Sequence, residues 1–344
     1  MTWQTQRLPG DHPPVSSGQI GVLLINLGTP DGPDPASVRR YLKQFLSDTR
    51  VVEIPPIVWQ LILRGIILNT RPQKSSKAYT KIWTDRGSPL ADITARQAEA
   101  MAGRFGEKVA VDYAMRYGNP SIESRLTAMM AQGCDRILIA PMYPQYCAAT
   151  TATVFDEVAR VLGAMRWQPA LRFVPPYHDN PGYIGALADD LARQVQALAF
   201  TPEVMLLSFH GMPQQTLQKG DPYYCHCMKT ARLLRKALEV RPAFAGVRFE
   251  TTFQSRFGPA AWLEPSTDAT LMAEGDKGTK RLVVAAPGFA ADCVETLEEL
   301  ALEGRDEFTE HGGEDYAVLD CLNTSGHGLE MIDAMLRREL SGWI

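Results

Sequence analysis

The chain lacks the phosphate-binding and nucleophile motifs common in α/β proteins. No G-x-G-x-x-G follows its first strand-like run, and neither G-x-x-x-x-G-K-[ST] nor G-x-S-x-G occurs. Dinucleotide binding, P-loop chemistry and an α/β-hydrolase elbow therefore lose support. Cysteine is sparse: six in 344 residues do not make a disulfide scaffold. No apolar signal-peptide core stands near Met1, so a reducing cytoplasm is the expected compartment. A net charge of −4 leaves no basic footprint, and nucleic acid is not an expected partner. Long hydrophobic runs are missing too. The most apolar segment, 54–68, is interrupted by Pro55, Pro56, Gln60, Arg64 and Gly65 and is too short to cross a bilayer.

What the sequence does contain is alternation. Apolar strand-like runs at 21–25, 109–113, 136–140, 170–174, 203–208, 248–253 and 281–286 are separated by amphipathic helical stretches. That order predicts parallel sheets covered by helices on both faces. An internal echo refines it. Residues 23–30 and 206–213 share Leu-Leu-x-x-x-Gly-x-Pro, each as a strand, a glycine turn and then a helix. The fold class expected is α/β, with two doubly wound, Rossmann-like parallel-sheet halves facing each other across a cleft. Residues 1–19 read as a loose leader, 20–175 as the first half, 176–325 as the second, and 326–344 as a helix packing back on the first half.

Two stretches carry the chemistry. Ser208-Phe209-His210-Gly211 places a histidine at the carboxyl end of a buried strand, where open α/β sheets bind ligands. Asp292-Cys293-Val294-Glu295-Thr296-Leu297-Glu298-Glu299 opens an acidic helix whose Asp292, Glu295 and Glu299 follow i, i+3, i+7 and predict one acidic stripe, with Glu298 near the same face. Either residue alone reads most simply as structural. Together, one imidazole nitrogen and one carboxylate oxygen make a weak mixed donor set, suited to a divalent metal held in passing. Cys225-His226-Cys227 lacks zinc-finger spacing and reads as structural. Tyr79, Ser88, Arg116, Tyr117 and Trp262 are candidate pocket residues. Segment 54–68 is open between a core helix and an apolar lip that grips a flat ligand or rests on a membrane.

With these residues in view, the chain resembles the ferrochelatase family over about residues 20–335. The resemblance is carried by Asn26-Leu27-Gly28-Thr29-Pro30, Arg86-Gly87-Ser88-Pro89-Leu90, Met115-Arg116-Tyr117 and Pro141-Met142-Tyr143-Pro144-Gln145-Tyr146. It continues through Ser208–Gly211, Lys219-Gly220-Asp221-Pro222-Tyr223, residues 253–258 with Trp262-Leu263, and residues 292–299. It implies a chelatase-like fold and insertion of Fe²⁺ into protoporphyrin IX to form protohaem, with porphyrin and ferrous iron as substrates. The family's invariant pair falls on His210 and Glu295, as catalytic and metal-binding residues. Tyr79, Ser88, Arg116, Tyr117 and Trp262 fall on the porphyrin side, and Asp292 and Glu299 on a proton or metal path. Residues 54–68 become a cleft lip that contacts membrane and substrate, giving a cytoplasmic enzyme peripheral to the inner membrane. Departures count as well. No cysteine follows Cys321, and Cys147 precedes Thr150-Thr151 at another offset, so no tightly bound cofactor and no [2Fe-2S] cluster is expected. Rival readings are a coproporphyrin ferrochelatase, a cobaltochelatase of a related tetrapyrrole, and a non-catalytic porphyrin or haem carrier.

Overall fold

The computed structural model describes residues 18–344 apart from Pro259. The leader expected at 1–19 lies outside the described residues as far as 17, and Gln19 already opens the first strand. Among the described residues, eight strands form two four-stranded sheets. The first half holds β1 (Gln19–Thr29), β2 (Val109–Gly118), β3 (Cys134–Pro141) and β4 (Ala170–Phe173), in the order β2-β1-β3-β4. The second holds β5 (Val204–His210), β6 (Arg248–Gln254), β7 (Arg281–Ala285) and β8 (Asp315–Val318), in the order β6-β5-β7-β8. Every neighbouring pair is parallel. The two orders are the same, as two doubly wound halves require. The echoed Leu-Leu-x-x-x-Gly-x-Pro lies on β1 and β5, an interior strand in each sheet. Such strands are covered on both faces and so read as unbroken apolar runs.

The echoed glycine has a steric reason. A Cβ on Gly28, whose φ is +113°, would sit 1.7 Å from the Tyr117 carbonyl oxygen. A Cβ on Gly211 would sit 2.6 Å from the Gln254 carbonyl oxygen. In both halves the interior strand ends pressed against its neighbour's backbone, where only glycine fits. That contact holds the strand's carboxyl end, and therefore His210, in a fixed place.

One apolar core is shared between the halves. It joins Val22 and Leu24 of β1 to Leu207 and Phe209 of β5, together with Leu187, Leu191, Met335 and Leu336. Helix Gly326–Glu339 packs on both Pro181–Gln196 and Pro89–Phe105, with the Arg337 guanidinium 4.6 Å from the Phe105 ring centre. Smaller cores fill the outer faces of the two sheets.

Segment 54–68 is not a core helix: one aliphatic face of it is open to solvent. Helix Pro56–Ile62 continues into a π-helical turn, Leu63–Ile67, and then helix Leu68–Ile82. Ile57 is 83% exposed and Leu61 73%, with Val58 and Ile66 also facing solvent. Two side chains fasten the segment from below: Leu63 is fully buried, and the Trp59 indole N–H donates to the Leu46 carbonyl at 2.6 Å.

Candidate active site

His210 closes β5, and its ring state follows from one contact. Nδ1 lies 2.7 Å from the Gly211 carbonyl oxygen, which can only accept. Nδ1 therefore carries the proton in the neutral ring, and the Nε2 lone pair is left free. Among the described residues Nε2 has no hydrogen-bond partner. The His210 carbonyl accepts from the Tyr223 hydroxyl at 2.9 Å, so backbone and ring are both held.

Glu295 begins a π-helix, Glu295–Glu303, rather than an α-helix. Its i→i+5 bonding puts more residues in each turn and is frequently found at functional sites. Residues four apart then share a side, which groups Glu295 with Glu299 and turns Glu298 away. Gln254, the register partner of His210, ties this helix to β5: its amide donates to the Glu295 carbonyl at 3.2 Å, and its Oε1 accepts from Ser208 at 2.7 Å. Ser255, at φ +64°, donates from both its backbone N–H and its hydroxyl to Glu299, each at 2.6 Å. Burial raises the Glu299 carboxyl above its ordinary range. Its bonds to Ser255 and the nearness of His210 pull the other way, while the Glu295 charge adds to the rise.

The three-residue acidic stripe is not formed. Asp292 precedes the π-helix and is buried, and its carboxylate accepts from Thr296 Oγ1 at 2.9 Å and from the Asn323 amide. It is a clip between this turn and the segment after β8, a different placement from the path expected for it. Glu298 pairs with Lys81 at 2.7 Å, on the side that faces helix Leu68–Ile82.

The candidate porphyrin residues separate in the same way. Trp262 joins the site: its ring would lie 3.3 Å from a Cβ on Gly211, and its buried indole N–H has no partner among the described residues. Tyr79 is buried near Glu295, and burial first, then that carboxylate, pushes its phenol well above the usual range. Ser88 is buried and accepts from the Thr29 hydroxyl at 2.8 Å. Arg116 and Tyr117 lie near the end of β2, where Tyr117 shares a core with Tyr79, Val294 and Leu297. Arg116 gives Nε to the Thr153 carbonyl at 2.7 Å and Nη2 to Asp48 at 2.6 Å, and Tyr117 is a fully buried core ring bonded to the same Asp48. Nε and Nη2 of Arg116 are thus engaged, while Nη1 makes no hydrogen bond among the described residues.

A ferrochelatase family model matches residues 19–340. A ferrochelatase from Rhizobium meliloti (strain 1021) is 53% identical over 338 residues, covering 97% of this chain and 98% of its own. One from Nitrobacter hamburgensis is 51% identical over 334 residues, 96% of each chain. The chain belongs to the ferrochelatase family. It is thus a metal-insertion lyase of haem biosynthesis. Two solved chelatase structures share the fold. SirB from Bacillus subtilis with Fe³⁺ aligns at TM-score 0.57 with 11% identity, covering 94% of this chain and 97% of that one. CbiX, described as the terminal enzyme for biosynthesis of sirohaem in denitrifying bacteria, aligns at 0.51 with 15% identity, covering 93% and 100%.

Within this ferrochelatase-family fold the Cys225-His226-Cys227 motif is divided. Cys227 is buried, where desolvation pushes its thiol up, while Cys225 is exposed. His226 accepts from the Tyr146 N–H at 3.1 Å and stacks on His178 at 3.6 Å. Burial and the neighbouring His226 lower His178 to about 4. Cys147 and Cys293 are also buried, and burial raises both thiols. The residues that the sequence reading passed over are Gln254 and Ser255, which link the His210 strand to the carboxylate helix. Both lie in the 253–258 stretch that carries the resemblance, at the end of the strand beside β5, but nothing in the spacing gave them this role.

Proposed function

We propose that this enzyme inserts ferrous iron into protoporphyrin IX, the last step of haem formation, with His210 and Glu295 as the working pair. The observation that carries this reading is the free Nε2 of His210, held by the Nδ1 contact with Gly211 and linked through Gln254 to the helix of Glu295. Insertion needs water stripped from the ion, two pyrrole protons removed and the planar ring opened to attack from one face. An imidazole nitrogen and a carboxylate oxygen bind Fe²⁺ weakly enough to pass it on. Once the ion has passed to the porphyrin, the freed Nε2 lone pair accepts a pyrrole proton, and Gly211 stabilises the resulting imidazolium through Nδ1–H. Glu299, raised by burial, is suited to receive that proton next. The test is purified protein with Zn²⁺, or anaerobic Fe²⁺, and either protoporphyrin or coproporphyrin, followed by porphyrin absorption. Turnover of coproporphyrin alone supports the first rival, and binding without turnover supports a carrier.

In this reading the protein works in the cytoplasm, with its lip resting on the membrane surface. No helix of the described residues is long and apolar enough to cross a membrane, whereas Ile57 and Leu61 present aliphatic surface to solvent. Leu61→Asp should leave the melting temperature unchanged, reduce liposome co-sedimentation and raise KM for porphyrin. Leu63→Asp should instead destabilise the fold by several kcal/mol, because it places a carboxylate in the core. Equal melting of the two variants would return the segment to a single environment and reject the lip.

The enzyme works without an iron–sulfur cluster. The cysteine offsets differ from those of the cluster-bearing branch, and Cys225 and Cys227 differ sharply in exposure. Iron and acid-labile sulfide should both be absent in stoichiometric amount from protein purified under anaerobic conditions. Finding both at stoichiometry reverses this reading.

A further inference from the structure

Arg71 leaves helix Leu68–Ile82 without a carboxylate partner among the described residues. Its guanidinium carbon instead lies 5.1 Å from the centre of the Phe257 ring. Phe257 is 52% exposed. One exposed phenyl ring signifies nothing by itself, but this one is held on both sides. It rests on Trp262, with ring centres 5.3 Å apart, and Trp262 in turn backs Gly211 beside His210. The loop carrying Phe257 is bounded by two left-handed residues, Ser255 at φ +64° and Gly258 at φ +74°. Its base is pinned to Glu299 through Ser255. A stack of cation, phenyl and indole therefore runs from the first half of the molecule to the second, alongside the catalytic histidine.

An aromatic face attracts a guanidinium without neutralising it. A carboxylate in the same place would hold Arg71 more tightly, but it would cancel the charge and compete with any anionic ligand. We infer that Phe257 is a positioning residue that keeps Arg71 as an un-neutralised cation at the cleft rim, for a carboxylate on the edge of the porphyrin. The inference rests on the porphyrin reading proposed above. Phe257 contributes no proton and no metal ligand. Its part is in substrate selection, favouring tetrapyrroles that carry edge carboxylates over those that do not.

The test compares protoporphyrin with its uncharged dimethyl ester, first by metal-free binding to the full chain and then by Zn²⁺ insertion. Phe257→Ala should weaken binding of the diacid by about 2- to 5-fold, the scale of an exposed cation–π contact. Binding of the diester and kcat for the diacid should be unchanged. Phe257→Tyr keeps a ring under the guanidinium and should behave as wild type. In an Arg71→Met background, Phe257→Ala should no longer alter the preference for diacid over diester, because the cation it positions is gone. Thermal melts of all four proteins exclude misfolding as the cause. Equal weakening of diacid and diester would reduce Phe257 to a wall of the cleft and overturn the inference. So would a tyrosine variant as impaired as alanine, or a selective effect that persists without Arg71. If porphyrin binds with the expected selectivity but no metal is inserted, the insertion reading fails while the role of Phe257 stands. If neither porphyrin binds, both fall.

Discussion

His210→Ala is expected to abolish metal insertion while porphyrin still binds. The ring supplies the one nitrogen in the site whose lone pair is free and whose tautomer is set, through Nδ1 and the Gly211 carbonyl. In the proposed mechanism removing it takes away proton acceptor and metal donor together, so the loss should exceed the ~10²- to 10⁴-fold usual for a general base alone. The fold should survive. The His210 backbone is held by the Tyr223 hydroxyl, and Gly211 by its 2.7 Å bond to the Gln254 carbonyl, neither of which needs the imidazole. Porphyrin affinity measured by fluorescence quenching and insertion measured by absorption separate the two effects. Near-normal turnover in the variant would remove His210 from the mechanism.

Glu295→Gln should lower kcat by at least ~10²-fold with the melting temperature unchanged. The amide keeps the shape of the side chain, and the contact between Gln254 and residue 295 is made to the backbone carbonyl, so the helix stays tied to β6. Only the charge and the oxygen donor are lost. Asp292→Asn should act in the opposite way. Asp292 accepts from Thr296 and Asn323 in a buried setting, and an amide there sets donor against donor, at a cost of about 1–3 kcal/mol. Its effect should fall on the melting temperature, with kcat per folded molecule little changed. If Asp292→Asn melts normally yet loses more kcat than Glu295→Gln, the two roles must be exchanged.

Much of the architecture was legible before any coordinates. β1 and β5 are interior strands buried on both faces, so burial writes them as continuous apolar runs, and the shared Leu-Leu-x-x-x-Gly-x-Pro marks their common place in the two sheets. β8 (Asp315–Val318) was missed, although β4, an edge strand of the same length and exposure, was legible at 170–174.

By itself, the sequence determined the two-half α/β plan, the histidine at a strand end and the nearby acidic helix. Each depends on local pattern: runs of burial, strand-to-helix turns, and which residue types are neighbours along the chain. What the tertiary structure alone decided is which of those side chains are free. Arg116 lies near the end of β2, and two partners distant in sequence, Asp48 and the Thr153 carbonyl, fix its Nη2 and Nε. The acidic stripe was drawn at a period of 3.6, but a π-helix has more residues in each turn, which groups Glu295 with Glu299, sends Glu298 to Lys81 and leaves Asp292 behind as a clip. Segment 54–68 has the composition of a core helix or of a lip. Only the location of the Leu46 carbonyl that receives the Trp59 N–H decides that its aliphatic face points outward. A hydrogen-bond partner far away along the chain leaves no trace in the local spacing of residues, and in this cleft such partners decide which groups remain available for chemistry.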